Sequence, residues 1–160
     1  MTQDTMKKKS RKGVYLVVVD ATQELTAAID YASNFANAEG GYVALLYVMD
    51  YKPVSGWQTI EKQVKGEMRA QAEQMIWKAA GRIQELTQTT PMVCIADGDR
   101  SDLIVKTIEE NSNIVSLVLA SASGSSNPGP LVTYFSGKGL SRLPVPLMVV
   151  PGHLDICEEA

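Results

Sequence analysis

The sequence predicts an α/β fold, a three-layer α/β/α sandwich around a five-stranded parallel sheet, and three observations predict it. Apolar runs of strand length recur at Gly13 to Val19, Tyr42 to Val48, Met92 to Ala96, Ile114 to Ala120 and Leu147 to Val150. Segments with apolar residues at three- and four-residue steps alternate with those runs, and carboxylates, glycines and prolines punctuate the joins. Runs that are apolar throughout suit strands buried on both faces, and strands alternating with helices imply right-handed crossovers with helices on both sides.

The first strand, Gly13 to Val19, is rich in β-branched residues and ends on Asp20. Thr22 is placed to cap a helix carrying Leu25, Ala28, Ile29, Ala32, Phe35 and Ala36 on one face, and Gly40-Gly41 ends it. The second strand, Tyr42 to Val48, leads through Asp50, Pro53 and Gly56 into a long helix whose apolar positions run from Ile60 and Val64 through Met68, Ala72, Met75, Ile76, Ala79, Ala80 and Ile83 to Leu86. That regular period predicts core packing along its length, Trp77 and the methionines included. The third strand is Met92 to Ala96, with Cys94 expected as a small buried hydrophobe. Asp97-Gly98-Asp99 closes it, and Asp99 or Ser101 caps a helix with Leu103, Ile104, Val105 and Ile108. Ile114 to Ala120 is the fourth strand and Leu147 to Val150 the fifth.

At 160 residues the chain has room for one domain with a sizeable core. We divide it into a basic disordered arm at 1–12, a single domain at 13–152 and an acidic tail at 153–160. A hydrophobic fraction of 45%, a charged fraction of 21% and a net charge of -3 describe an ordinary globular protein and give no reason to expect nucleic acid. Lys7, Lys8, Lys9, Arg11 and Lys12 read as a solvated tail ahead of the first strand. Val14 to Val19 is too short for the core of a signal peptide, and no segment reaches the ~20 apolar residues of a membrane span, so the expected location is cytoplasmic. Two cysteines, Cys94 and Cys157, make no disulfide framework, and a single histidine, His153, excludes multi-histidine metal sites.

Val17-Val-Val-Asp20 before a helix, Tyr47-Val48 closing the second strand, Asp97-Gly98 before Ser101-Asp102-Leu103-Ile104, Leu117-Val-Leu-Ala120 and Pro144-Val-Pro-Leu-Met-Val-Val150 together resemble the universal stress protein family. The resemblance runs from about Gly13 to Pro151. It implies a Rossmann-like sheet of order 3-2-1-4-5, similar to adenine nucleotide alpha hydrolases. It also implies a homodimer along the last strand at Leu147, Met148, Val149 and Val150, and a role in stress survival or signalling without catalytic turnover. Family members that bind ATP carry G-x2-G-x9-G-[S/T] from the end of the fourth strand; its glycines let backbone N–H groups approach phosphate oxygens, and its hydroxyl adds a donor at a helix start. An Asp at the end of the first strand, matched by Asp20, and backbone at the end of the second, matched by Val48, hold ribose and adenine in such members.

Aligned without a gap between the fourth strand and Pro144-Val-Pro146, the motif falls on Ala120, Ser123, Thr133 and Tyr134, and all three glycines are gone. A shifted frame on Gly124, Asn127, Gly137 and Lys138 recovers two glycines and brings a cation in place of the hydroxyl. We prefer the ungapped frame, because strand ends are held by the sheet whereas a loop glycine can sit anywhere. Gly129-Pro130 can start a short helix over Leu131 to Ser136, broken at Gly137 and Gly139. Pro128 and Pro130 remove two N–H donors from a loop that would need them for a triphosphate.

Ligands of open α/β sheets lie beyond the strand C-termini where strand order reverses, which places Asp20, Gly98, Ser121, Ser123 and Gly124 around one crevice. Asp20 has two roles open to it, ligand contact or bracing of the first helix. No cofactor is expected, with ATP or AMP as the alternative ligand. The reading is a non-catalytic stress-response or regulatory protein with a degraded ATP motif. The alternative is an adenine-nucleotide binding module using Asp20, Val48 and the Gly124 to Lys138 loop. An enzyme has little support: there is no G-x-S-x-G elbow, no metal-ligand cluster and no G-x-x-x-x-G-K-[ST] loop.

Overall fold

The computed structural model describes residues 12–52, 58–124 and 126–154. The basic arm up to Arg11, Pro53, Gly56, Ser125 and the tail from Asp155, with Cys157, lie outside the described residues. The elements run β1 (Val14–Val18), α1 (Leu25–Glu39), β2 (Tyr42–Met49), α2 (Gln58–Thr87), β3 (Met92–Asp97), α3 (Arg100–Glu110), β4 (Ile114–Ser121), α4 (Pro130–Ser136) and β5 (Leu147–Pro151), with a 3-10 turn at Leu140–Arg142 before β5. The strands form one parallel five-stranded sheet in the order β3-β2-β1-β4-β5. The α/β/α class is the one read from the sequence, and the strand order is the one the family resemblance implies.

Alternation along β1 sorts the core into two layers, because successive side chains point to opposite faces. Tyr15, Val17 and Val19 pack with α1 and α2 against Ala28, Ile29, Ala32, Ile76 and Ile83. Val14, Leu16 and Val18 pack with α3 and α4 against Ile104, Val105, Val132 and Phe135. Reversal occurs at β1 and β4: the chain leaves β1 toward β2 and β3 on one side and reaches β4 and β5 on the other. Crevices open at such a point, beyond the strand C-termini.

At the opposite, N-terminal end of the sheet, glycines permit very close approach. A Cβ on Gly41 would lie 2.4 Å from the Gly13 carbonyl oxygen, and one on Gly13 would lie 2.6 Å from the Val115 side chain. The Tyr42 N–H reaches the Gly13 carbonyl at 2.9 Å, and the Val14 N–H reaches Asn113 at the same distance.

Three local expectations need correction. Thr22 does not cap α1; the helix starts after Glu24, and Thr22 instead donates its N–H (3.0 Å) and hydroxyl (2.6 Å) to Asp20. Cys94 is exposed, because β3 is an edge strand and α3 reaches β2 without covering the far face of β3. Core packing along α2 holds from Ala72 to Ile83, whereas Ile60, Val64 and Trp77 are exposed, Trp77 to 61%. Helical period reports one apolar stripe, but a 30-residue helix outruns the sheet it lies on.

Candidate functional site

A cavity of about 290 Å³ opens where β1 and β4 end. Its walls come from Val18, Asp20 and Thr22 after β1, Glu24 and Leu25 at the head of α1, Arg100 at the head of α3, Ala120 and Ala122 from β4 onward, and Pro128 to Val132. Each contribution has a local cause. Asp20 is turned by the two donors of Thr22, which fixes the bend between β1 and α1. Asp99 accepts the Asp102 N–H at 3.0 Å and starts α3, so Arg100 emerges as its first helical residue beside the cleft. Gly129, with φ 106, precedes Pro130 at the start of α4.

The loop between β4 and α4 is closed upon itself. The Ala122 N–H donates to the Pro128 carbonyl at 3.0 Å, and the Gly129 N–H donates to Asn127 Oδ1 at 3.0 Å. Pro128 and Pro130 carry no N–H. Thus four of the residues that line the loop side of the cavity turn no free backbone donor toward it.

Charge in the cavity wall consists of two carboxylates and one guanidinium. Asp20 and Glu24 stand with Arg100, and among the described residues Arg100 forms no ion pair. Glu24's own backbone N–H, then the N–H of Ser123, with the Thr22 and Ser123 hydroxyls beside it, hold its carboxyl below the usual carboxylate range against some desolvation. A carboxylate lowered in this way is a poor general base for the neighbouring Ser123 hydroxyl.

The residues singled out in the sequence are dispersed. Asp20 lines the cavity. Val48 is buried at the end of β2 in the core layer under α3. Gly98, with φ 148, donates its N–H to the Met49 carbonyl at 3.1 Å and would meet Leu103 if it carried a Cβ. Ser121 is the last residue of β4 and accepts the Gly152 N–H at 3.0 Å. Ser123 and Gly124 are exposed in the loop, Gly124 with φ 74, and Asn127 is engaged with Gly129. Gly137 and Lys138 follow the last residue of α4, about 10 Å along that seven-residue helix from Gly129.

The two frames fall differently on α4. The helix begins at Pro130, so Thr133 and Tyr134 lie inside it and Gly137 and Lys138 lie past its end. The pair at the helix start is Gly129-Pro130. After the helix comes the 3-10 turn, whose Arg142 donates to Tyr134 and Asp102 at 2.8 Å each. Arg100 and Glu24 were missed in the sequence. Arg100 directly follows the cap Asp99, and a charged residue in the first helical position beside a strand end is the signal that marks it.

Among the described residues no group of His, Cys, Asp and Glu could hold a metal ion, and no helix is long and apolar enough to cross a membrane. A family model described as the universal stress protein family matches residues 15–151. Among solved structures, the chain is similar to the universal stress protein UspA from Lactobacillus plantarum, with 18% identity over 88% of this chain and 98% of that one and a TM-score of 0.74. A universal stress protein in complex with cAMP shares 16% identity over 88% and 98% of the two chains, TM-score 0.64. One from Archaeoglobus fulgidus in complex with dAMP shares 13% over 86% and 97%, TM-score 0.55. No curated protein sequence matches the chain.

Proposed function

The chain belongs to the universal stress protein family, and from that membership we propose that it is a non-catalytic, homodimeric stress-response or regulatory protein of the cytoplasm whose cleft does not hold a triphosphate. The observation that carries this reading is the closure of the β4–α4 loop. Its donors at Ala122 and Gly129 are engaged by Pro128 and Asn127, and Pro128 and Pro130 have none to offer. A triphosphate needs several N–H groups converging on its oxygens, and these four described residues supply none. Against catalysis stands the chemistry of the wall: the Ser123 hydroxyl faces a carboxylate of lowered basicity, and the sole histidine, His153, is exposed beyond β5.

Support for the dimer comes from β5, an edge strand with Val149 exposed to 40% and Leu154 exposed beside it. An uncovered apolar edge invites a second strand.

A second reading is a nucleotide module for AMP or a similar monophosphate. Relatives of the same fold are described in complex with cAMP and dAMP, and a cavity of about 290 Å³ sits at the low end of the ~300–1,000 Å³ typical of ligand sites. That size suits a nucleoside better than a nucleoside triphosphate. In this reading Asp20 contacts the ribose, and Val48 backbone with the Gly124 to Lys138 loop completes the site. Calorimetric titration with MgATP, AMP and adenosine separates the two. Micromolar affinity for MgATP would sink the first reading, whereas AMP binding that weakens on Lys138→Ala would favour the second.

A further inference from the structure

We propose that the cleft at the ends of β1 and β4 takes a small zwitterion with an aliphatic body, its amine on Asp20 and its carboxylate on Arg100. This names a ligand class for the crevice that the proposed function leaves without a triphosphate, and rests on that reading's choice of site.

Opposite charges line this cavity without pairing. Asp20 and Glu24 come from the β1–α1 connection, whereas Arg100 heads α3, which packs on the other face of the sheet, and all three wall one space of about 290 Å³. Among the described residues no ion pair joins them. Asp20 is held in place all the same: Thr22 directs its N–H, at 3.0 Å, and its hydroxyl, at 2.6 Å, to Oδ1. No other donor reaches that carboxylate among the described residues, so Oδ2 is left for a donor carried by a ligand.

Arg100 sits where its own helix disfavours it. A cation at the first position of α3, an 11-residue helix, faces the positive end of the helix dipole and lowers stability. The acids beside it are engaged elsewhere: Asp99 Oδ1 accepts the Asp102 N–H at 3.0 Å, and Asp102 Oδ1 accepts from Arg142 at 2.8 Å. Helix stability therefore gives no reason for a guanidinium at this place, whereas an anionic ligand group does. A ligand with a negative charge alone would satisfy Arg100 but meet Asp20 and Glu24, and one with a positive charge alone would leave Arg100 unpaired. Both walls are satisfied by a ligand that carries both charges, and Val18, Leu25, Leu119 and Val132 offer apolar surface to the body between them.

The test is calorimetric titration of the full chain with L-leucine and δ-aminovalerate, which bracket the spacing of amine and carboxylate, and with isocaproate and isoamylamine, which carry one charge each. At least one zwitterion is expected to bind at least about tenfold more tightly than either single-charge molecule, the order of one charge-assisted hydrogen bond, and to lose about tenfold in Arg100→Gln and in Asp20→Asn. Arg100→Gln should also melt no lower than wild type, since a cation leaves the head of α3. Circular dichroism confirms that each variant is folded, and Arg100→Gln decides if Asp20→Asn does not fold. The proposal is overturned if neither zwitterion saturates the protein, if the single-charge molecules bind as tightly, if binding survives Arg100→Gln, or if that variant melts below wild type. The two readings fail separately: binding of MgATP by the wild type strikes the proposed function, whereas a wild type that binds neither MgATP nor a zwitterion leaves that reading standing and removes only this inference.

Discussion

Arg82 on α2 grips Asp30 on α1 with two bonds, Nε to Oδ1 at 2.5 Å and a terminal guanidinium nitrogen to Oδ2 at 2.6 Å. Asp30's side chain is 6% exposed and Arg82's is 39%. Loss of the guanidinium would leave a buried carboxylate without its main counter-charge. Such a loss costs about 3–5 kcal/mol when both partners are buried, and solvent access at Arg82 lowers the expected cost of Arg82→Ala to roughly 2–3 kcal/mol. Arg82→Lys keeps the charge but not the paired geometry and should fall between. Urea unfolding measures both; equal stability of Arg82→Ala and wild type would contradict the assignment.

The two halves of α2 should respond differently to truncation. Ile76 is fully buried against the sheet, while Val64 is exposed. Ile76→Ala is expected to cost about 2–5 kcal/mol, and Val64→Ser to stay within about 0.5 kcal/mol of wild type. Similar losses at both positions in chemical denaturation would mean that the N-terminal half of α2 is covered in solution.

Acid should remove the contribution of Glu24. Its folded carboxyl is held below the ordinary glutamate value of 4.5, first by its own N–H and then by Ser123. A depressed carboxyl stabilises the fold above its unfolded value and loses that contribution as pH falls through the folded one. The difference in Tm between wild type and Glu24→Gln should be constant from about pH 7 to pH 5 and shrink below about pH 4. A difference that persists unchanged to about pH 3 would contradict a lowered Glu24 carboxyl.

Dimerisation through β5 is tested by a charge on its exposed position. Val149→Asp should convert a sedimenting dimer to a monomer at micromolar concentration while leaving the far-UV circular dichroism unchanged, because Val149 points away from the core and Val150 into it. A wild-type monomer, or a variant that remains dimeric, would remove β5 as the interface.

Strand runs and helical periods made the architecture readable. β1 to β5 fall where apolar runs lie, and Asp99 caps α3 as its place after Asp97-Gly98 suggests. What could not be read was which faces stay uncovered. Cys94 and Trp77 sit in apolar, regular patterns, but Cys94 lies on an edge strand and Trp77, next to buried Ile76, points off the face of α2 that meets the sheet, which are properties of the assembled fold. Site residues were harder still. Asp20 reached the cavity because a strand end is fixed by pairing, whereas Gly124, Asn127, Gly137 and Lys138 depend on how a loop divides its length on either side of α4. Nothing local in the sequence announces that Ala122 and Pro128 close that loop.

The glycine contacts at Gly13 and Gly41 have a consequence for redesign. They cinch β1, β2 and β4 together at the end of the sheet remote from the cleft, where a single added methyl group meets backbone at 2.4 Å or Val115 at 2.6 Å. Register is thereby clamped at one pole, and the connections at the other pole are relieved of that duty. Exchange of the β4–α4 loop at the cleft is therefore expected to leave the pairing of β1, β2 and β4 in register.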